Sequence, residues 1–593
     1  MSNPLFSDRH VDFLLREVLD LPGLLALPAF VEHSEETCAM YMDACRKVAR
    51  QVLLPSYGPV DAAAPGLEAG GQVRLHRDMH EAHRTLVELG VLTAARPEAV
   101  GGTGLPMLAT AASHAYLMAG NLAAYALEGL TTGAARLIES FGDDDLRARF
   151  MRKMYDGEWT GTMALTEPQA GSSLSDVATK ATPAADGTFR ISGTKVFISG
   201  GAHDVAENII HLTLARIEGA PAGIKGVSLF AVPAKREVNG KLVDNDVLCS
   251  SVFHKVGWRG LPSVQLSFGD RGECHGWLVG APHQGIKYMF QMMNEARLMV
   301  GLNAVASASV AFHAAIAYAQ DRPQGRPLTA KDPTTPQIPI IEHADVRRML
   351  LRQKAIVEGG LALLLECARL TDLSEHHPDP AERKAAFLLL DLLTPIAKTF
   401  PAEYGFEANT LAIQIHGGYG YTSEYPVEAW WRDQKLNTIH EGTSGIQGLD
   451  LLGRKMVAEG GAGLRDLAGR VTATLAKASQ AGLPATLTEP LSAALQAWLQ
   501  ASATLGAKGA TGDVDGMLRH SADYMSLASV TVVGWMWLRQ AVAATNATDR
   551  DLAQGVDAAA RYWMATEATK APALAARIAS GEDSYAALDP AWL

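Results

Sequence analysis

The chain has 593 residues, enough for several domains, and 48% of them are hydrophobic, which excludes wholesale disorder. A formal net charge of −12 argues against a protein that binds nucleic acid through its phosphates. The five cysteines include no CxxC pair, so a disulfide framework and a zinc ribbon are excluded and a reducing compartment is favoured. We therefore expect a soluble, cytoplasmic, multidomain protein.

The predicted type of secondary structure changes twice along the chain. The first 159 residues are rich in Ala and Leu at helical spacing, and short β-prone runs separated by Gly, Pro, Asn and Asp follow. Long helical patterns then return over residues 288–320, 341–370, 382–400 and 404–415. This order predicts a mostly α protein with an antiparallel β insert. We divide it into an N-terminal extension, an α domain, a β domain, a helical domain and an additional C-terminal helical domain, at residues 1–36, 37–159, 160–282, 283–455 and 456–593.

Two features have ordinary structural interpretations. Residues 524–538 are the most apolar segment, but they fall short of the ~20 residues that a membrane-spanning helix needs. We predict a buried helix there and no membrane span. His76, His80 and His83 share one face of a predicted helix at a spacing that metal ligands use, yet the charged residues between them favour a solvated face. We predict no metal site.

Three segments have the composition of ligand-binding loops. Residues 163–173 (MALTEPQAGSS) surround a proline with small and hydroxyl residues, which bring backbone amides close to a polar ligand or form a simple turn. Residues 193–201 (GTKVFISGG) place Phe197 on a strand, where it either stacks on a ring or packs in the core. Residues 414–420 (QIHGGYG) either cradle a pyrophosphate or end a helix.

A fourth segment, residues 439–447 (IHEGTSGIQ), contains a candidate base. Thr443 or Ser444 predicts a helix cap, and Glu441 lies just before that helix. Its carboxylate is either a general base or a surface acid favoured by the helix dipole. P-loop, complete dinucleotide-binding and nucleophile-elbow motifs do not occur in the sequence.

Together and in this order, the four segments resemble the acyl-CoA dehydrogenase family over roughly residues 40–455. The resemblance also rests on residues 97–105 (PEAVGGTGL), 294–297 (NEAR) and 425–433 (YPVEAWWRD). The two ends of the chain resemble a longer bacterial subgroup that includes 3-methylmercaptopropionyl-CoA dehydrogenases. The resemblance implies an N-terminal α domain, a middle antiparallel β domain and a C-terminal four-helix bundle, plus the additional C-terminal helical domain.

The resemblance also implies the chemistry. Family members hold FAD between the β domain and the bundle, partly contacted by a neighbouring subunit, which implies a homodimer or a dimer of dimers. Glu441 would remove the α proton of an acyl-CoA thioester while flavin N5 accepts the β hydride, which leaves a trans-2-enoyl-CoA. The electrons would pass to an electron-transfer flavoprotein, as in fatty acid β-oxidation. Some relatives place the base where Ala296 stands, so the resemblance leaves Glu441 without a rival except Glu295, one position away.

The family's contacts carry over position by position. For FAD the resemblance implies Met163, Leu165, Thr166, Gly171, Ser172, Phe197, Ser199, Arg322, Gln414, Gly417, Gly418, Thr443 and Gly445. For acyl-CoA it implies Ser172, Asn294, Arg297 and Gly442. His440 stands where Tyr is common, so we expect an altered wall beside the base.

Two other functions remain open at this stage. One is an acyl-CoA oxidase of the same fold, whose reduced flavin would react with oxygen. The other is a DNA-associated damage-response flavoprotein, which needs a basic surface on the C-terminal domain. Residues 456–593 carry ten Lys and Arg against thirteen Asp and Glu, so the acyl-CoA dehydrogenase is the favoured hypothesis.

Overall fold

A computed structural model describes residues 3–593, apart from the side chain of Gln291. Its contacts divide the chain into two compact units. One comprises residues 3–39 with Pro106–Ala115 and Arg297–Leu593, and the other comprises Met40–Leu105 with Tyr116–Ala296.

Short and medium helices make up the first 155 residues. They are α1 Asp8–Phe13, α2 Leu21–Leu25, α3 Glu35–Val48, α4 Leu54–Ala62, α5 Arg77–Glu88, α6 Met107–Gly120, α7 Leu122–Phe141, α8 Asp144–Leu146 and α9 Arg152–Tyr155. Local side chains fix where several begin: Asn121 accepts a hydrogen bond from the Ala124 amide at the start of α7, and His76 accepts one from the Asp78 amide at the start of α5.

The β region forms one large sheet and a hairpin. Its strands are β1 Trp159–Ala164, β2 Lys180–Pro183, β3 Phe189–Ser199, β4 Asn208–Ile217, β5 Val227–Pro233, β6 Lys235–Val238, β7 Lys241–Asp244, β8 Val247–Val252, β9 Ser263–Phe268 and β10 His275–Leu278. The sheet order is β1-β4-β5-β10-β3-β9-β8, with β2 beside β3 and β4, and β6 pairs with β7.

The sheet differs from the predicted antiparallel insert in two places. Strand β1 runs parallel to β4, with Trp159 opposite Asn208, and β2 also runs parallel to β4. A parallel pair needs a long connection, and the chain between β1 and β4 supplies one because it contains β2 and β3. Helix α7 covers this edge of the sheet, and the approach is close: a Cβ on Gly161 would lie 2.4 Å from the Cβ of Ala134.

Long helices dominate the other unit. They are α10 Gly285–Asp321, α11 Ala344–His376, α12 Pro380–His416, α13 Val427–Leu436 and α14 Ser444–Asp450. The sequence predicted two helices over residues 382–415, but the structure has one, with Pro395 and Pro401 inside it. Because Pro401 has no N–H, the carbonyl of Ala397 loses its helical partner, and it lies against Gly301, where a Cβ would be only 2.2 Å away. Burial of the apolar helix keeps the segment helical through both prolines.

The additional C-terminal domain is also helical. It contains α15 Ala462–Gln480, α16 Ala485–Ala510, α17 Val514–Leu518, α18 Ser521–Ala544, α19 Arg550–Thr566 and α20 Ala571–Ser580. The predicted buried helix is α18, and the indole of Trp537 donates to the Ala355 carbonyl of α11 at 3.0 Å. The N-terminal extension contacts the same unit, since His10 hydrogen-bonds Gln540 at 2.8 Å and Arg539 donates to the Val18 carbonyl.

Three helical segments in the described residues are long and apolar enough to cross a membrane by length and composition. Most of the apolar window in each is buried inside the protein. The segments are Gly285–Asp321, Pro380–Tyr421 and Ser521–Ala544.

Candidate active site

A buried ion pair fixes the first predicted loop to the second. The Lys195 side chain, which has no solvent exposure, donates to the Glu167 carboxylate at 2.7 Å and to the Leu165 carbonyl at 3.0 Å. Burial alone would raise the pKa of Glu167, but the Lys195 ammonium and hydrogen bonds from Thr179 and Ala178 lower that pKa to about 2. The Val196 amide also donates to the Thr166 carbonyl at 2.9 Å. The residues predicted to contact a flavin, including Leu165 and Thr166, therefore lie on a rigid base.

Phe197 projects outward from the sheet at a β-bulge in β3. The register between β3 and β9 shifts between Lys195 and Ile198, and Phe197 has a φ of 59°. A bulky residue rarely adopts this left-handed conformation, and a β-bulge of this kind re-aims a side chain. The ring is 61% exposed and lies 4.5 Å from the ring of Phe253, so the structure excludes the core alternative for this residue. An aromatic face is open to a planar ligand.

The rest of the predicted β-domain set is partly or fully exposed. Met163 and Leu165 are half-buried against the core of the unit, Ser199 is half-buried on β3, and Gly171 and Ser172 are exposed. A Cβ on Gly171 would have no heavy atom within 4 Å. The loop therefore leaves open space beside its backbone.

The glycine turn after α12 and Arg322 lie in the other unit. Gln414 is exposed, Gly417 ends the helix with a φ of 61°, and a Cβ on Gly417 or Gly418 would have no heavy atom within 4 Å. The His416 ring stacks on Tyr318 at 4.4 Å, and Tyr318 lies one helical turn before the exposed Arg322. An open backbone turn and a cation are thus close together, as a pyrophosphate group requires.

Glu441 lies on a strained turn between α13 and α14. Its φ is 53° and that of Gly442 is 88°, so two successive residues adopt the left-handed conformation. Gln447 of α14 donates to the Glu441 carbonyl at 3.0 Å, and Lys398 of α12 donates to the Gly442 carbonyl at 2.8 Å. Thr443 caps α14 through a hydrogen bond from the Ile446 amide, and Gly445 is exposed in the first turn of that helix. The base candidate is held by backbone contacts on both sides.

Burial and the nearby cations have opposite effects on the pKa of Glu441. Glu441 is half-buried, and this burial raises its pKa above the usual value. The cations of Arg297 and Lys398 act in the opposite direction. Arg297 is itself buried and donates to Asp450 at 2.7 Å. The predicted substrate contact Arg297 is therefore an ion-pair partner in this structure, and Gly442 is half-buried beside the base.

The competing carboxylate has a different environment. Glu295 forms an ion pair with Arg136 at 2.9 Å, and its side chain is 36% exposed. Its neighbour Asn294 is half-buried. The structure thus gives Glu295 a salt-bridge partner, whereas the half-buried Glu441 has a raised pKa.

The predicted histidine face holds no metal ligand set. His76 caps α5, His80 hydrogen-bonds Asp204 at 3.1 Å, and His83 hydrogen-bonds the buried Glu128 at 2.7 Å. Over residues 3–593, the described side chains contain no group of three or more His, Cys, Asp or Glu that could hold a metal ion.

Sequence reasoning missed the residues that hold the site together. Lys195, Lys398, Gln447 and Asp450 contact the predicted loops, but none was predicted as a site residue. One signal was present: Lys398 is the only Lys or Arg over residues 385–431, in a largely apolar helical pattern, and a buried lysine needs a polar partner.

The residues of each unit fit a flavin cofactor. Phe197 offers an exposed aromatic face, and glycines 171, 417 and 418 leave the space that a closely approaching ligand needs. Arg322 supplies an exposed cation for a phosphate.

Comparison with known families and proteins gives a consistent result. The chain matches the acyl-CoA dehydrogenase N-terminal domain over residues 35–158, the middle domain over 162–270 and the C-terminal domain over 283–456. Residues 467–589 match the domain described as acetyl-CoA dehydrogenase C-terminal like.

Similar proteins of nearly the same length are known. The chain is 36% identical to the 3-methylmercaptopropionyl-CoA dehydrogenase of Ruegeria pomeroyi, over 93% of this chain and 92% of that protein. It is 32% identical to the broad-specificity linear acyl-CoA dehydrogenase FadE5 of Mycobacterium tuberculosis, over 91% and 90% of the two chains. The crystal structure of ACDH-11 from Caenorhabditis elegans in complex with C11-CoA shares the fold, with a TM-score of 0.78 at 19% identity over 98% of this chain and 95% of that one. Four matching domains and full-length relatives above 30% identity show that this chain belongs to the acyl-CoA dehydrogenase family of FAD-dependent oxidoreductases.

Proposed function

We propose that this protein oxidises an acyl-CoA thioester to the trans-2-enoyl-CoA, with Glu441 as the base that removes the α proton. The observation that carries the proposal is the environment of Glu441: a half-buried carboxylate with a raised pKa, on a turn whose two carbonyls are bound by the Lys398 and Gln447 side chains. A base must be both ionised and poorly solvated to accept a carbon-bound proton, and these two requirements conflict unless nearby cations support the anion.

The chemistry divides between the protein and its cofactor. Loss of the α proton to Glu441 and of a hydride from the β carbon leaves a carbon–carbon double bond conjugated with the thioester. FAD supplies the hydride acceptor. Phe197, Met163, Leu165, Thr166 and Ser199 would orient the flavin ring, since all five are partly or fully exposed. Arg322, Gln414, Gly417 and Gly418 would bind a pyrophosphate, and Gly171, Ser172, Thr443 and Gly445 complete the proposed FAD contacts.

The relatives suggest the class of substrate. The two full-length relatives act, by name, on 3-methylmercaptopropionyl-CoA and on linear acyl-CoA. We therefore propose an unbranched acyl or thioether acyl group, with Ser172, Asn294, Arg297 and Gly442 contacting the acyl-CoA. We also propose a role in β-oxidation or a related degradation of acyl-CoA, in the cytoplasm.

The electron acceptor and the assembly belong to the same proposal. We propose transfer to an electron-transfer flavoprotein, and a homodimer or a dimer of dimers. Tyr419 and Tyr421 follow the glycine turn and are 51% and 89% exposed. Exposed aromatic side chains of this kind are typical of subunit contacts and support an assembly in which a second copy covers this turn.

A panel of acyl-CoA thioesters tests the activity. The purified protein should be yellow, and anaerobic addition of a substrate should bleach the visible flavin absorbance. Subsequent admission of air should reoxidise the flavin slowly, whereas fast reoxidation with peroxide release would indicate the oxidase. A flavin that no acyl-CoA bleaches would contradict the proposal, and a salt-dependent shift of duplex DNA would support the damage-response alternative.

A further inference from the structure

Lys398 is a lysine without solvent exposure in the middle of α12. Desolvating an ammonium group is costly, so buried lysines are normally paired with carboxylates. The hydrogen bond of Lys398 goes instead to a backbone carbonyl, that of Gly442, at 2.8 Å. The residue that precedes this carbonyl is the proposed base.

We propose that Lys398 is a positioning residue for Glu441: its ammonium group fixes the Gly442 carbonyl, and its charge supports the ionised form of the Glu441 carboxylate. The inference rests on the proposed role of Glu441 as the base.

The first part of the inference follows from the backbone geometry. Glu441 and Gly442 both adopt the left-handed conformation, which a glutamate occupies only where surrounding contacts impose it. Their two consecutive carbonyls are each bound by a side chain, one from Gln447 on α14 and one from Lys398 on α12. Loss of one of these contacts leaves the turn free to relax, and the carboxylate then moves with it.

The second part follows from the charges that face Glu441. Arg297 from α10 also lowers the pKa of Glu441, but its own hydrogen bond goes to Asp450, which pairs with Arg454 at 3.3 Å as well. Glu403 of α12 hydrogen-bonds Ser444 at 2.5 Å and contributes a negative charge near Lys398.

His440 adds no cation at neutral pH, because burial, followed by the Lys398 charge, lowers its pKa to about 3. Lys398 is thus a cation near Glu441 whose hydrogen-bond partner is neutral.

The lowered pKa of Lys398 should be visible in the pH dependence of flavin reduction. Burial lowers the pKa of Lys398 to about 8, although Glu403 and Glu441 oppose this effect. The wild-type rate of flavin reduction should therefore rise with pH as Glu441 ionises and fall again as Lys398 loses its proton near pH 8. An arginine at this position stays protonated over the whole range, since its pKa exceeds ~12.

The experiment measures the rate of anaerobic flavin reduction by a good acyl-CoA substrate as a function of pH, with the FAD-loaded protein. The variants are Lys398→Met, which has a similar length but no charge, and Lys398→Arg. The control is Lys455→Met, because Lys455 is also buried in this unit but pairs with Asp391. FAD content and acyl-CoA binding, from the perturbed flavin spectrum, are recorded for each.

We expect Lys398→Met to reduce flavin at least ~10-fold more slowly at neutral pH, with the acid limb of the profile shifted to higher pH. Lys398→Arg should keep the acid limb and lose the alkaline limb near pH 8. Lys455→Met should keep the wild-type profile. A role in packing alone would lower FAD content or thermal stability without moving either limb.

A second measurement does not depend on turnover. Replacing Glu441 by Gln should raise the melting temperature relative to the parent as the pH rises, because the buried anion is removed. This gain should be larger in the Lys398→Met background, where the anion has lost its supporting cation.

The outcomes distinguish a failure of the proposed function from a failure of the proposed role of Lys398. If wild-type flavin is not bleached by any acyl-CoA, the proposed function itself fails. If the wild type is bleached, a Lys398→Met protein with the wild-type rate and profile overturns the inference. If Lys398→Met does not fold, a Lys398→Arg protein that retains the alkaline limb overturns it equally.

Discussion

The replacement of Glu441 by Gln is the most direct test of the proposed mechanism. Gln has nearly the same shape, and the contacts that fix the turn go to backbone carbonyls rather than to the carboxylate. We therefore expect Glu441→Gln to fold, to bind FAD and to bind acyl-CoA with a perturbed flavin spectrum. Only the removal of the α proton should fail, because an amide does not accept that proton at neutral pH.

The size of the defect follows from the role of the residue. General base catalysis contributes ~10²–10⁴-fold, so the rate of flavin bleaching by substrate should fall by at least this factor. The loss should appear in the chemical step and not in the affinity for acyl-CoA. Stopped-flow measurement of flavin absorbance under anaerobic conditions, with titration of acyl-CoA into the oxidised protein, separates the two quantities.

Stability gives an independent signature of the same substitution. The pKa of Glu441 is raised in the folded protein, so the native state favours the neutral acid. The stabilisation from this residue is complete below the pKa of the unfolded chain and is lost as the pH rises through the folded pKa. The melting temperature of Glu441→Gln relative to wild type should accordingly increase as the pH rises above ~4.3, the ordinary pKa of a glutamate.

Glu295→Gln is the matched control. Glu295 belongs to the same predicted set, but it is paired with Arg136 and partly exposed. We expect this variant to retain a measurable rate of flavin reduction. A reducible Glu441→Gln protein together with an inactive Glu295→Gln protein would refute the reasoning and move the base to α10.

Three further substitutions test other parts of the site. Phe197→Ala should weaken FAD binding by about 2- to 12-fold, measured by flavin release on dilution, because an aromatic contact contributes ~0.5–1.5 kcal/mol; unchanged affinity would contradict the stacking role. Gly442→Ala introduces a Cβ 2.7 Å from the side-chain amide of Gln447, at a residue whose φ is 88°. The protein should still bind FAD, but the rate of flavin reduction should fall on the order of 10²-fold. A wild-type rate would show that the turn tolerates displacement. Burial raises the pKa of Asp372 to about 7, although the Leu108 and Met107 amides donate hydrogen bonds to it. The wild-type protein should therefore lose thermal stability relative to Asp372→Asn as the pH rises through 7. A difference in stability that does not change with pH would contradict the assigned pKa shift.

Much of the fold could be predicted because its signals are local. Helical periodicity, a run of β-prone segments and an apolar segment at residues 524–538 each depend on a short stretch of sequence. The failures come from contacts between distant residues. The sequence predicted a break between residues 400 and 404, where Pro401 lies, but burial keeps α12 continuous. The parallel pairing of β1 and β4 depends on the path of the intervening chain, which no local pattern records.

The candidate site was likewise predictable where the signal is local and not where it depends on contacts between distant residues. The order of the loops led to Phe197 and Glu441, yet the sequence left open whether Phe197 packs in the core. The answer depends on the register of β3 against β9, where a bulge turns the ring outward. Lys195 and Lys398 were missed as supports because a lysine in a sequence is most often a solvated side chain, and only its burial shows otherwise.

Each of the two units has a strained residue at its candidate site. Phe197 and Glu441 both have the left-handed backbone that bulky or charged residues avoid, and each costs stability that neighbouring contacts must offset. Beside each one, a fully buried lysine donates to a backbone carbonyl: Lys195 to Leu165, and Lys398 to Gly442. A lysine suits this task because its ammonium group is a compact donor on a long apolar stem, so the stem packs in the core while the charge fixes a carbonyl. Lys398 binds the carbonyl that directly follows Glu441, whereas Lys195 fixes the loop that packs beside the strand of Phe197. Rigid supports under a few strained side chains are what pre-organised chemistry requires, because a displaced group loses rate even where the fold is intact.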